Sequence, residues 1–253
     1  MSEPFFEYAS CYEHEDGRVH LKIDHTIKVC RIMDELTAWL GLDEHDRFLA
    51  HTVALYHDIG RFEQLRQYGT FVDHRSVDHA DLGVQILKDG SFLDALDEED
   101  RRIVLFAVEN HNKYRIGPCD ERTRLFARLI RDADKCDIFR VFACEDLNQA
   151  TSTSIEQIKD DVVSDEIEQM IMAHRPIVKE KRKTGLDVWI TFLGFFFDMN
   201  FSKTMEIARE QGYYRLLFDQ IRFHRCQDQI DRILQETERF MDEQLKQKKM
   251  AEY

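Results

Sequence analysis

Val53-Ala-Leu-Tyr-His-Asp-Ile-Gly60 is the stretch on which the reading of the fold turns. Leu49, Val53 and His57 are spaced four apart, and residues four apart share one face of a helix. An imidazole therefore continues an apolar stripe, and a carboxylate, Asp58, follows it directly. Side by side, the two groups offer one neutral nitrogen and one anionic oxygen. That pair suits a divalent transition metal of intermediate softness.

Working outward, other polar groups sit on apolar stripes in the same way. His25 lies four before Val29, in the stripe Val29, Ile32, Met33, Leu36 and Leu40. His79 is followed by Gly83 and Ile86, His111 extends Ala107, and Asp134 extends Phe126 and Ile130. Asp58 is rotated by about 100° from His57 on a helix of 3.6 residues per turn, which lets it reach a second site beside the first. A buried carboxylate is costly unless it is paired or metal-bound, and a shared ion removes that cost for the whole set. Each residue alone has a plainer reading, as a core histidine donating to a backbone carbonyl or an aspartate in a surface ion pair. In Arg131-Asp-Ala-Asp-Lys135 the alternative ligand Asp132 competes with Asp134, and periodicity favours Asp134. His14, His20, His45, His51, His74, His174 and His224 lack such a pattern.

Composition fits a helical protein. Only 10 Gly and 3 Pro punctuate 253 residues, which favours long helices over a turn-rich β fold. Periodicity predicts an all-α chain, with a helix ending at Gly41 and another over about 46–59 that takes Gly60 as its C-cap. Phe62–Val77 reads as a loop with room for a short helix. Further helices are expected over about 79–88, 98–112, 121–142, 155–173, 188–211 and 226–249. The predicted organisation is a helical core over 1–145 and a helical extension over 146–253 that packs on it. Phe192, Leu193 and Phe195 to Phe197 make too broad an apolar surface to stay exposed.

Charge narrows the partners. Thirty-five basic residues against 49 acidic ones give a net charge of −14, which disfavours nucleic-acid duplexes and anionic membranes. A small anionic substrate is still allowed, because a metal and a few cations dominate the field inside a cleft. The six cysteines form no CxxC and read as reduced thiols. No basic, apolar leader opens the chain, and the apolar run Val188 to Phe197 is about half a bilayer span. A cytoplasmic location is expected, and the sequence leaves the oligomeric state open.

Together, His25, His57-Asp58 and Asp134 resemble the H…HD…D signature of the HD-domain metal-dependent phosphohydrolase superfamily. The local contexts match as well: "HT" opening a helix, "ALYHDIG", and "DADK" near the end of another. The segment from His79 to Leu87 is similar to the one that supplies a further histidine in the two-metal branches, and His111 to the next. The resemblance covers about residues 20–140. It implies that His25, His57, Asp58 and Asp134 hold one ion, with Asp58 bridging to a second held by His79 and His111. One or two divalent ions are implied, drawn from Mn, Fe, Co, Ni or Zn. Where HD-GYP phosphodiesterases carry a second adjacent histidine and a lysine, this chain has Asn112 and Arg61, so neither a third metal nor cyclic-di-GMP specificity is implied. Arg61-Phe62-Glu63 likewise replaces the acidic pair of the guanosine-tetraphosphate hydrolases.

The implied activity is that of a phosphohydrolase or phosphodiesterase acting on a small phosphorylated metabolite or nucleotide through metal-activated water. Asp58, Arg61 and Lys135 are the expected catalytic residues. Arg61, Lys135 and Asn112 are the expected substrate contacts, Arg61 through its planar fork. A mixed-valent di-iron oxygenase is the alternative, because oxygenases of inositol and phosphonates resemble the same set of four histidines and two aspartates. A non-catalytic sensor has no need of six ligands.

Overall fold

The computed structural model describes residues 2–12, 17–144 and 155–251. Among them the chain forms α-helices and short 3-10 turns with no strand, as expected of an all-α chain. The described residues group into two compact units, Met1–Asp137 and Ile138–Tyr253, divided within one long helix. The predicted boundary at 145/146 lies outside the described residues. No helix among the described residues is long and apolar enough to cross a membrane.

The first unit runs α1 (Ser2–Ser10), α2 (Gly17–Trp39), α3 (Glu44–Tyr56), α4 (Gly60–Tyr68), α5 (His79–Asp89), α6 (Glu98–Asn110) and the start of α7 (Glu121–Cys144). Aspartates fix where its helices begin. Asp43, Asp78 and Asp97 each accept from a backbone N–H in the first turn of α3, α5 and α6. Such caps contribute about 0.5–2 kcal/mol apiece. The stripe Val29, Met33 and Leu36 of α2 is fully buried, as are Leu49, Ala50 and Val53 of α3, the helix it packs against.

The short helix that the stretch Phe62–Val77 had room for is α4, over Gly60–Tyr68. Its apolar stripe is only Phe62 and Leu65, too brief to register as periodic, and Phe62 packs edge-on against Phe5 of α1. Gly69, at φ 65°, then ends the helix by donating to the Leu65 carbonyl. The expectation for Gly60 needs correction, since it is not a C-cap: α3 ends at His57 in right-handed geometry, and Gly60 opens α4. Its missing side chain has a different cause. A Cβ there would overlap the His79 carbonyl oxygen and lie 2.7 Å from the Gly83 nitrogen. This close approach brings the start of α5 against the turn that carries Asp58.

The second unit contains the end of α7, then α8 (Ile155–Asp160), α9 (Asp165–Met172), α10 (Gly185–Gly194), α11 (Ser202–Gln211), α12 (Tyr213–Asp219) and α13 (Gln227–Ala251). Two predicted helices, over 155–173 and 188–211, are each broken. In the first, the buried Asp187 carboxylate accepts from Ser164 N at 2.8 Å and Ser164 Oγ at 2.6 Å, and so holds the break open. In the second, a 3-10 turn over Phe195–Asp198 interrupts the helix, with Phe196 stacked on Phe139 at 5.1 Å. Phe192 packs on Phe142, so the aromatic run is covered by residues of the same unit.

Candidate metal centre

All six expected ligands belong to the first unit, and most sit where a helix begins or ends. His57 is the C-cap of α3, His111 the C-cap of α6, and His79 the first residue of α5. His25 continues the buried stripe of α2, and Asp134 lies on α7. The four histidines and Asp58 are buried, none more than 5% exposed. Burial to that degree removes water as a partner, so their polar atoms must be satisfied by one another or by an ion.

Asp58 stands between two groups of nitrogens. Its Oδ2 lies 3.7 Å from His25 Nε2 and 3.8 Å from His57 Nε2. Asp134 Oδ1 closes this first group, 3.1 Å from His25 Nε2 and 3.8 Å from His57 Nε2. Asp58 Oδ1 faces the other way, 3.3 Å from His79 Nε2 and 3.7 Å from His111 Nε2. Within each group the imidazole nitrogens also face each other: His25 and His57 Nε2 at 3.4 Å, His79 and His111 Nε2 at 3.0 Å. Asp134, which periodicity favours over Asp132, reaches both His25 and His57.

The far side of every ring explains why these nitrogens point inward. His57 Nδ1 donates to the Ala54 carbonyl at 2.7 Å and His111 Nδ1 to that of Val108 at 2.6 Å. His25 Nδ1 meets Asp137 Oδ2 at 2.7 Å, and His79 Nδ1 meets Asp73 Oδ2 at 2.8 Å. The acceptors on these far sides place a proton on Nδ1, which leaves Nε2 as the ring atom turned inward. Sequence reasoning missed Asp137 and Asp73. Asp137 had a signal, since it is one turn past Asp134 on the same helix. Asp73 lies in a 3-10 turn between α4 and α5, where no periodicity points to it.

Protonation follows from these surroundings. Burial pushes His57 down to about 4 and His79 to about 4, with Arg61 adding to the effect on His79. Burial and Lys22 act to lower His25, but hydrogen bonds to Asp134 and Asp137 outweigh them and raise it to about 9. Burial opposes ionisation of Asp58, yet Lys22, His57 and Arg61 hold it well below the usual carboxylate range. Asp134 is depressed in the same way: His25 and His57 outweigh burial.

This donor set fits a divalent ion. Ion–donor bonds of about 2.0–2.2 Å set tetrahedral donor–donor edges of about 3.3–3.6 Å, and the spacings above, from 3.0 to 3.8 Å, bracket that range. Nε2 atoms of His79 and His111 that face each other at 3.0 Å are compatible only with a metal ion or a shared proton between them. The groups His25, His57 and Asp58, and Asp58, His79 and His111, each bring their ligand atoms within 4.8 Å of one another.

The expected substrate contacts are placed less directly. Arg61 Nη1 donates to Gln64 Oε1 at 2.9 Å, Phe71 O at 2.6 Å and Asp73 Oδ1 at 2.9 Å. Its Nε approaches Asp58 Oδ1 at 3.4 Å, so the guanidinium ties two carboxylates of the site together. Asn112 Nδ2 donates to Asp78, and its buried Oδ1 has no hydrogen-bond partner. Lys135 is buried beside Asp134. Lys22, not singled out from the sequence, donates to Asp58 Oδ2 at 2.7 Å. Outside the site, His45, His51, His174 and His224 pair with Asp100, Asp34, Glu236 and Asp160, while His20 and His74 are exposed. His14 lies outside the described residues.

No curated protein and no solved structure matches the chain significantly. The family model of the HD domain matches residues 23–138. That span opens two residues before His25, closes one residue after Asp137, and contains all six expected ligands. Residues 23–138 are therefore an HD domain, the module of a superfamily of metal-dependent hydrolases.

Proposed function

We propose that this HD domain hydrolyses phosphoric esters of a small metabolite or nucleotide. In this reading His25, His57, Asp58 and Asp134 hold one divalent ion, and Asp58, His79 and His111 a second. A divalent ion held there brings the pKa of a water ligand towards neutrality and offsets charge on a phosphoryl group. Asp58 contributes one oxygen to each group, while Asp137 and Asp73 keep the rings of His25 and His79 turned inward. Arg61 braces Asp58 against Asp73. The observation that carries the proposal is the donor set itself: four imidazole Nε2 atoms around a carboxylate whose two oxygens face opposite ways. Cationic Lys22 and Arg61 beside that carboxylate suit an anionic substrate over a neutral one.

Elemental analysis of the purified protein, with phosphate release from a panel of phosphomonoesters and phosphodiesters, tests the reading. Release that stops with a chelator and returns with manganese is expected. Oxygen uptake after anaerobic iron loading, without phosphate release from any ester, would overturn it in favour of the oxygenase alternative.

A further inference from the structure

Lys22 lies one turn before His25 on α2, so both side chains leave the same face of that helix. Its hydrogen bond to Asp58 Oδ2, at 2.7 Å, is the one it makes among the described residues. The same oxygen faces His25 and His57 at 3.7 and 3.8 Å. An ammonium and a divalent ion therefore contend for one oxygen. Arg61 stands in a different position, because its Nη1 serves three protein acceptors and its Nε faces the opposite oxygen of Asp58. Both cations lie against the ring of Phe71, the Lys22 nitrogen 5.4 Å and the Arg61 carbon 5.8 Å from its centre.

We infer that Lys22, rather than Arg61, binds the anionic group of the substrate, after yielding Asp58 Oδ2 to the first ion. The inference rests on the reading of this site as one for phosphorylated substrates. A lysine carries a compact charge on a flexible four-carbon stem, whereas the guanidinium of Arg61 is a planar fork already filled on its Nη1 side. Positive charge arriving at Oδ2 repels the ammonium, and a phosphoryl oxygen supplies the acceptor it has lost. Attraction to the Phe71 ring keeps the displaced nitrogen beside the centre. Asp58 thus sets an order of loading, with the ion first and the anion second. In the ion-free protein Lys22 compensates the buried carboxylate.

Titration calorimetry with manganese alone, then with inorganic phosphate on the manganese-loaded protein, tests this on the full chain. Lys22→Met should bind the first manganese more tightly, by roughly threefold or more, since a competing charge is gone. The same variant should bind phosphate about tenfold to hundredfold more weakly, the loss of one charge-assisted contact. Lys22→Gln should give both shifts, covering a failure of the methionine variant to fold, and Lys22→Arg should retain phosphate binding. Opposite signs are the signature, because a purely structural lysine would weaken both ligands. Equal phosphate affinity in wild type and Lys22→Met overturns the inference, and so does weaker manganese binding by that variant. No phosphate binding by the loaded wild type overturns it as well. Failure of the hydrolase reading would show separately, as absent phosphate release from every ester, with the affinity comparison still deciding the role of Lys22.

Discussion

Asp58 in the first unit and Asp187 in the second are both buried carboxylates, and they are satisfied in opposite ways. Asp187 accepts from the backbone N–H groups of Ser164, Lys183 and Thr184 and from the Ser164 hydroxyl, at 2.6 to 3.2 Å. Its charge is spread over donors that the chain itself supplies. Asp58 has the Lys22 ammonium on one oxygen, and around it stand four imidazole Nε2 atoms, a group that binds metal once deprotonated. A carboxylate completed by backbone N–H groups organises the chain. One ringed by inward-facing imidazoles is suited to hold a metal ion. That difference separates structural burial from functional burial more sharply than exposure does, since both residues are almost wholly inaccessible.

Substituting each in turn puts the contrast to its largest test. Asp58→Ala should remove both ions, because it deletes the group that faces both sets of nitrogens. An ion at a hundred times its Kd adds about 2.7 kcal/mol to stability, so losing two forfeits about 5 kcal/mol in metal-loaded buffer. In chelator the same variant should melt close to wild type. Asp187→Ala should do the reverse, costing about 3 kcal/mol or more with or without metal, because its buried donors are left unmet. Elemental analysis and thermal melts in both buffers read the outcome. Full metal content in Asp58→Ala, or metal loss in a folded Asp187→Ala, would erase the distinction.

His79→Ala sharpens the comparison inside the first unit. It strips a nitrogen from the Oδ1 side of Asp58 and leaves the Oδ2 group intact. Metal content should fall from about two ions to about one, on the logic of two ions sharing a carboxylate. An unchanged stoichiometry would mean that the two groups of nitrogens do not hold separate ions.

Legibility in the sequence followed the same division. His25, His57, His79, His111 and Asp134 were readable because each interrupts an apolar helical stripe, and a polar group there calls for a reason. The all-α class followed from scarce glycine and proline. What stayed hidden was written in contacts between segments distant along the chain. Asp187 breaks a helix 23 residues away through Ser164, with no glycine or proline at the break to announce it. α4 carries only two buried apolar residues one turn apart, enough to allow a short helix there and too few to fix its bounds. Gly60 looked like a helix end, because the backbone it must clear, at His79 and Gly83, lies about twenty residues on. Asp73 reaches His79 from an irregular turn, and Lys22 reads as an ordinary exposed cation until Asp58 is seen beside it.

Asp137 offers the smallest and most discriminating test, because it is a buried carboxylate of intermediate character. It has an unambiguous donor in His25 Nδ1, at 2.7 Å, and it acts on the candidate metal group through that ring. Removing a carboxylate that orients a ligand histidine typically lowers metal affinity about tenfold to hundredfold without removing the ligand. Asp137→Ala should therefore keep a content of about two ions at saturating metal while weakening the ion held by His25. The ion held by His79 and His111 should keep its affinity, since those rings are oriented by Asp73 and by the Val108 carbonyl. Asp137→Asn, which retains an acceptor oxygen for the ring N–H, should recover part of the loss. Calorimetric titration resolves the two affinities. An equal loss at both sites, or no recovery in the asparagine variant, would place Asp137 with Asp187 as a carboxylate that serves the chain rather than the ion.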